Sequence, residues 1–217
     1  MRSDIHRAAA VGFDRAAQAY ELGRAGYPAA AVETILAVAG AAPGRTLLEL
    51  GAGTGKLTRD LVGSGARVLA LEPVAGMREV LAQNAPQAQT LDAVAEAIPL
   101  AEASVDAVIA AQSFHWFDPE AATAEVARVL RPGGAVALIW NRRDERVAWV
   151  RELSRILDGH AGDAPRYRTG LWRRGFDASP AFAPLELQTW PHRGDEGRDV
   201  LLSRVASISF VAALEEE

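Results

Sequence analysis

The sequence predicts an α/β protein, a doubly wound and mostly parallel sheet with helices on both faces. Short runs at residues 47–50, 67–71, 105–110 and 135–140 are apolar at nearly every position, as strands covered on both sides must be. Segments of helical spacing separate them, at about 75–83 and 118–130, which is the alternation that gives parallel strands. The first of these strands runs directly into Gly51, Gly53 and Gly55. A strand that ends in a glycine loop and opens a helix is where such a sheet receives a nucleotide-like ligand.

Composition narrows the class. The chain has 217 residues, of which 49% are hydrophobic, enough for one domain with a substantial core. We divide it into a helical cap (1–44), a cofactor-binding core (45–143) and a region of substrate-side helices with a sixth strand (144–217). The net charge of −5 offers no basic surface for nucleic acid. Cysteine is absent, so neither a disulfide framework nor a thiolate metal site can form, and no metal is expected. Residues 1–4 form no apolar leader and no apolar run reaches membrane-spanning length; the expectation is a soluble, cytoplasmic protein without membrane contact.

In chain order, residues 5–20 read as a helix with Ala10, Phe13, Ala17 and Tyr20 on one stripe. Residues 23–28 break it, a second helix covers 28–39, and 40–44 turn into the first strand. The glycine loop follows, with Thr54 expected to cap a helix over 55–62. Three readings of this loop compete. A P-loop needs G-x-x-x-x-G-K-[ST], but Leu50 stands five places before Gly55 and Leu57 follows Lys56, so the magnesium-binding hydroxyl is missing. A dinucleotide fingerprint needs G-x-G-x-x-G, and Lys56 occupies the third glycine's place. The third reading comes from a family.

Glu49-Leu50-Gly51-Ala52-Gly53-Thr54-Gly55 resembles the first motif of class I S-adenosylmethionine-dependent methyltransferases. The resemblance covers residues 15–145 well and the remainder loosely. It implies a Rossmann-like methyltransferase sheet, S-adenosylmethionine as cofactor, and Glu49 as the carboxylate that holds the cofactor's amino group. An ammonium entering a closed pocket needs such a charge. Gly51, Ala52, Gly53 and Gly55 then supply bare main chain against the ligand.

Further motifs extend it. Glu72, at the tip of the 67–71 strand, stands where a carboxylate accepts from both ribose hydroxyls and repels a 2′-phosphate. Pro73 follows, and Met77 matches the methionine that lies on the adenine face. In 93–100 the family's Asp is replaced by Val94, so adenine is expected to meet main chain at Ala95 and Glu96. After the 105–110 strand, Gln112-Ser113-Phe114-His115-Trp116 matches a His-Trp loop. It implies a cofactor contact at Gln112, a substrate wall at Trp116, and His115 as a group that orients or deprotonates the acceptor. Packing of the loop on the next helix is an equally open reading of His115 and Trp116. The lead 19–28 resembles a segment that folds over the cofactor, with Tyr20 on the substrate wall; Phe13, Tyr20 and Tyr27 alternatively dock the first helix.

Asp118-Pro119 is expected to start a helix to residue 130, and Leu130-Arg131-Pro132-Gly133-Gly134 to turn into the fifth strand, 135–140. A helix over 144–157 follows. Arg166, Arg168, Arg173 and Arg174 around Tyr167 and Trp172 suit either an anionic substrate or solvent. Residues 185–190 alternate like a strand and 195–214 read as a helix. The family's last antiparallel strand is not expected within the sequence, which fits a truncated sequence, a different pairing of the sixth strand or a partner supplied by another chain; an unpaired strand position would invite a homodimer. The expected activity is methyl transfer from S-adenosylmethionine to an oxygen, nitrogen or carbon of a small molecule by in-line attack. An NAD-dependent oxidoreductase and a non-catalytic S-adenosylmethionine-binding protein are the alternatives.

Overall fold

The computed structural model describes residue 21, residues 23–194 and residues 197–212. Five strands, β1 (Thr46–Leu50), β2 (Arg67–Leu71), β3 (Gln89–Leu91), β4 (Val105–Ala111) and β5 (Leu130–Ile139), form one sheet in the order β3-β2-β1-β4-β5. Every pairing is parallel. Among the described residues, the helices with both bounds in view are α1 (Ala29–Val38), α2 (Thr58–Gly63), α3 (Ala75–Asn84), α4 (Pro119–Val129), α5 (Ala148–Gly159), α6 (Arg174–Ala178), α7 (Arg198–Ala206) and α8 (Ser209–Ala212).

The near-continuous apolar runs are divided between two faces by the strand period. Leu47, Val68, Ala107 and Ile109 pack with Ile35 of α1 and Leu61 of α2. Their neighbours Leu48, Leu69, Val108 and Ala110 point the other way, onto Val126 and Val129 of α4 and onto Trp172 and Phe176. Each fully buried leucine contributes roughly 1.5–3 kcal/mol, so this alternation fixes both register and layering. Asp118 begins α4 as expected: its carboxylate accepts from the N–H of Ala121 at 2.8 Å, with Pro119 at the first helical position. At the opposite end of the sheet from the glycine loop, Asp106 ties three strands together. It accepts from the Thr46 N–H at 2.7 Å and pairs with Arg45 at 3.2 Å and Arg131 at 2.8 Å.

Several expectations are corrected. Residues 53–57 form turns, α2 starts only at Thr58, and Leu57 stands at its N-cap without a side-chain bond. Thr54 therefore does not cap; its hydroxyl donates to Glu21 at 2.6 Å. Positive φ at Gly53 (59°) and Gly55 (86°) keeps the chain out of a helix until the loop is complete. The Arg131–Gly134 turn lies inside β5 as an irregularity: Val105 pairs with Leu130 and Ala107 with Ala135. Residues 185–190 are not a strand; Leu187 is 77% exposed, so their alternation has no sheet face to serve. The predicted last helix is broken at residues 207–208 into α7 and α8, and α5 begins at Ala148 after a turn. The helix over 5–20, with Tyr20, lies outside the described residues.

Candidate active site

The strand order reverses between β1 and β4, and the crevice outside the carboxyl ends of these strands is where an open parallel sheet binds ligands. Gly51 leaves β1 with φ +64°, and its N–H, like that of Ala52, donates to the carbonyl of Leu71 at the end of β2. A Cβ at Gly51 would stand 2.6 Å from the Cβ of Ser113, whose own hydroxyl donates to the carbonyl of Leu50 at 2.6 Å. At Gly55, with φ +86°, a Cβ would stand 2.7 Å from Leu81. These glycines let the ends of β1 and β4, and the loop and α3, approach with nothing between them.

Two carboxyls sit beneath this loop, on adjacent strand ends, and both are buried. Glu49 is 1% exposed and accepts from the Thr58 hydroxyl at 2.6 Å. Burial pushes its pKa up to about 8; the Thr58 bond works against this, and Glu72 and Asp60 add to it. Among the described residues no salt bridge reaches Glu49. Glu72, 6% exposed, accepts from the N–H groups of Gly53 at 2.8 Å and Val74 at 2.9 Å. Burial raises its pKa, against those two bonds and the charge of Arg78. Glu72 thus shapes the glycine loop by accepting from Gly53, a role the sequence did not disclose. Each carboxylate oxygen keeps a second lone pair for a ligand.

The end of β4 supplies the other wall. Gln112 has φ +57°, rare for a residue with a side chain and costly by about 1–3 kcal/mol. Its N–H donates to the carbonyl of Ile139 at the end of β5, and its amide reaches the carbonyl of Asn141 at 3.4 Å. Residues Phe114–Trp116 form a 3-10 turn, in which Phe114 is fully buried against Phe117 and Phe176. His115 lies against Trp116 with centroids 5.4 Å apart and the rings tilted by 38°, and its Nδ1 accepts from the indole N–H of Trp140 at 3.1 Å. Burial, with the nearby Arg24 charge, lowers its pKa to about 4. His115 is therefore neutral at pH 7. Proton abstraction by so weak a base is disfavoured; holding or orienting a group suits it.

The lead segment does meet the loop, through Glu21. Its carboxylate accepts from Thr54 and lies 3.4 Å from Lys56 and 3.2 Å from Arg59, while Lys56 donates to its carbonyl at 2.7 Å. Asn141 donates to the carbonyl of Gly26 at 2.9 Å, which ties the same lead to the end of β5. Of the other expected contacts, Met77 is 2% exposed and packs against Val74 and Val80. Ala95 is 1% exposed within the core, and Glu96 accepts from the N–H of Asp118 at 2.8 Å. The arginines of 166–174 do not gather into a site: Arg166 and Arg168 share Asp158, Arg173 meets Asp177 and Arg174 meets Glu120. Sequence reasoning missed Glu21, Thr58 and Trp140; only Trp140 carried a signal, as an indole at the carboxyl end of a central strand. A cavity of about 290 Å³ bounded by Glu102, Arg128 and Phe182 lies at the amino ends of β4 and β5, away from this crevice.

Comparison with known proteins gives the family. Residues 48–138 match the model of a methyltransferase domain. An uncharacterized methyltransferase of Mycobacterium tuberculosis is 51% identical over 159 residues, 73% of this chain and 63% of its own length; the chain thus spans less than two thirds of that relative. The solved structure of a proposed type II methyltransferase from Anaeromyxobacter dehalogenans is 30% identical, covers 88% of this chain and 80% of its own, and superposes with a TM-score of 0.57. A malonyl-[acyl-carrier protein] O-methyltransferase of Methylococcus capsulatus is 37% identical over 124 residues, 54% of this chain and 45% of its own. The fold defines a Rossmann-like α/β protein of the methyltransferase kind. The chain belongs to the class I S-adenosylmethionine-dependent methyltransferase family.

Proposed function

We propose that this protein binds S-adenosylmethionine over the glycine loop and directs methyl transfer to an oxygen, nitrogen or carbon atom of a small molecule. The observation that carries the reading is the pair of buried carboxyls, Glu49 and Glu72, at the carboxyl ends of adjacent strands beneath main chain too close for side chains. A buried carboxyl without a cation is costly, and the donor set suits a ligand with an ammonium at one end and ribose hydroxyls at the other. Glu49 would hold the ammonium and Glu72 the hydroxyls. Gly51, Ala52, Gly53 and Gly55 would offer main chain, and Pro73, Met77, Ala95, Glu96 and Gln112 the surround of the adenosine.

When bound, S-adenosylmethionine supplies an already activated methyl group on a sulfonium. The protein's part is then alignment and exclusion of water rather than strong base chemistry. Trp116 would form a wall beside the sulfonium, and neutral His115 would hold the acceptor by a hydrogen bond. With so weak a base in the crevice, an acceptor that needs no deprotonation is favoured, and a carboxylate is such an acceptor. The relative from Methylococcus capsulatus, an O-methyltransferase by name, supports an oxygen acceptor.

Titration calorimetry with S-adenosylmethionine and S-adenosylhomocysteine tests this. Binding in the micromolar range is expected. Glu72→Ala, which removes the acceptor for Gly53 and Val74, should weaken it roughly 10- to 100-fold, the effect of leaving buried donors unpaired. A folded chain that binds neither ligand overturns the reading.

A further inference from the structure

We propose that Trp140 is a positioning residue that fixes the tautomer of His115, keeping Nδ1 as acceptor and leaving Nε2–H as the ring's only donor for the methyl acceptor. The inference rests on the functional reading of this crevice but is tested without it. An indole N–H can only donate. The 3.1 Å contact from Trp140 Nε1 to His115 Nδ1 therefore requires a bare Nδ1, and the neutral ring's one proton must sit on Nε2. A protonated ring would set an Nδ1–H against the indole N–H, and a flipped ring would offer it a carbon. Both lose the bond.

The indole is itself held in place. Trp140 follows β5 and His115 follows β4, and the N–H of Gln112 donates to the carbonyl of Ile139 at 2.9 Å, so the two side chains leave neighbouring strand ends. Tyr167 and Trp172 lie against the Trp140 ring, with centroids at 4.7 Å and 4.6 Å. Trp172 in turn donates its own indole N–H to the carbonyl of Tyr167 at 2.9 Å, which closes the cluster. The segment 167–172 thereby acts on the crevice through three aromatic rings and one hydrogen bond. Among the described residues, the charge that acts on His115 is that of Arg24; it disfavours imidazolium and leaves the choice of tautomer to Trp140.

The tautomer implies a division of labour: His115 donates from Nε2 to an oxygen of the acceptor and does not abstract a proton from it. The experiment is a long-range ¹H–¹⁵N correlation spectrum of the histidine rings as a function of pH, on the full chain without ligand, for the wild type and for Trp140→Phe, which keeps an aromatic ring and removes the N–H. The wild type should show His115 as the Nε2–H tautomer throughout the neutral range. Trp140→Phe should show a mixture with Nδ1–H and an upward-shifted titration, with an unchanged pattern of dispersed backbone amide peaks as proof of an intact fold. An Nδ1–H tautomer in the wild type, or identical His115 spectra in both proteins, overturns the assignment. Failure of the methyltransferase reading would instead appear in the calorimetry.

Discussion

Replacing Glu49 with glutamine tests the electrostatics at the centre of the crevice. The carboxyl is displaced from 4.5 to about 8, chiefly by burial, and at 1.36 kcal/mol per pH unit the full displacement corresponds to about 5 kcal/mol. The sign follows from proton counts: between these two values the unfolded chain has released the proton and the folded chain retains it, so stability falls as the pH rises. The contribution is complete below the unfolded value and lost above the folded one. Glutamine keeps an oxygen to accept from Thr58 and cannot ionise. Chemical denaturation at about pH 4.5 and about pH 8 should give equal stabilities for the two proteins at the lower value, and Glu49→Gln the more stable by about 3–5 kcal/mol at the higher. The same proton links to binding. A cationic amino group at Glu49 would displace it, so the affinity of the wild type for S-adenosylmethionine should rise with pH towards 8 and the calorimetric heat should depend on the buffer, while Glu49→Gln should bind weakly and without that dependence. Parallel stability curves for the two proteins would refute the assigned burial cost.

Two further substitutions probe the scaffold. A Cβ at Gly175 would stand 2.0 Å from the carbonyl oxygen of Pro119, so Gly175→Ala should force α6 off α4 and cost about 2–4 kcal/mol. Gly159→Ala, where nothing lies within 4 Å, is the control, and equal melting temperatures for the two variants would contradict the packing. Burial alone would raise the pKa of Asp106, but the Thr46 N–H, Arg131 and Arg45 outweigh it and hold the carboxyl below its ordinary value. Asp106→Asn should therefore cost about 2–3 kcal/mol at neutral pH. That loss is present above the unfolded aspartate value and vanishes as the pH falls through the depressed folded one, so unfolding curves of wild type and variant should converge in acid.

Much of this protein was legible in its sequence because the relevant forces are local. The apolar runs at 47–50, 67–71 and 105–110 suit strands buried on both faces, and Asp118-Pro119 suits the start of a helix. The glycine spacing after Glu49 by itself rejects a P-loop. Short-range sterics decide these things, and four or five residues contain them. Where a pattern needed a distant partner, the reading failed. Residues 185–190 alternate as a strand does, yet they pair with neither edge strand of the sheet and stay irregular. Thr54 has a capping side chain, but Glu21 takes its hydroxyl from 33 positions away.

The crevice divides in the same way. The sequence determined which groups are present: a carboxyl two places before the glycines, another after the second strand, and a His-Trp pair after the fourth. Tertiary structure decided their chemical states. The protonation of Glu49 depends on burial by elements far along the chain and on the proximity of Glu72. The tautomer of His115 depends on Trp140, a residue 25 positions on, held by rings from a third segment. A pKa and a proton's position are set by what surrounds a group in three dimensions, and only the folded chain assembles those surroundings.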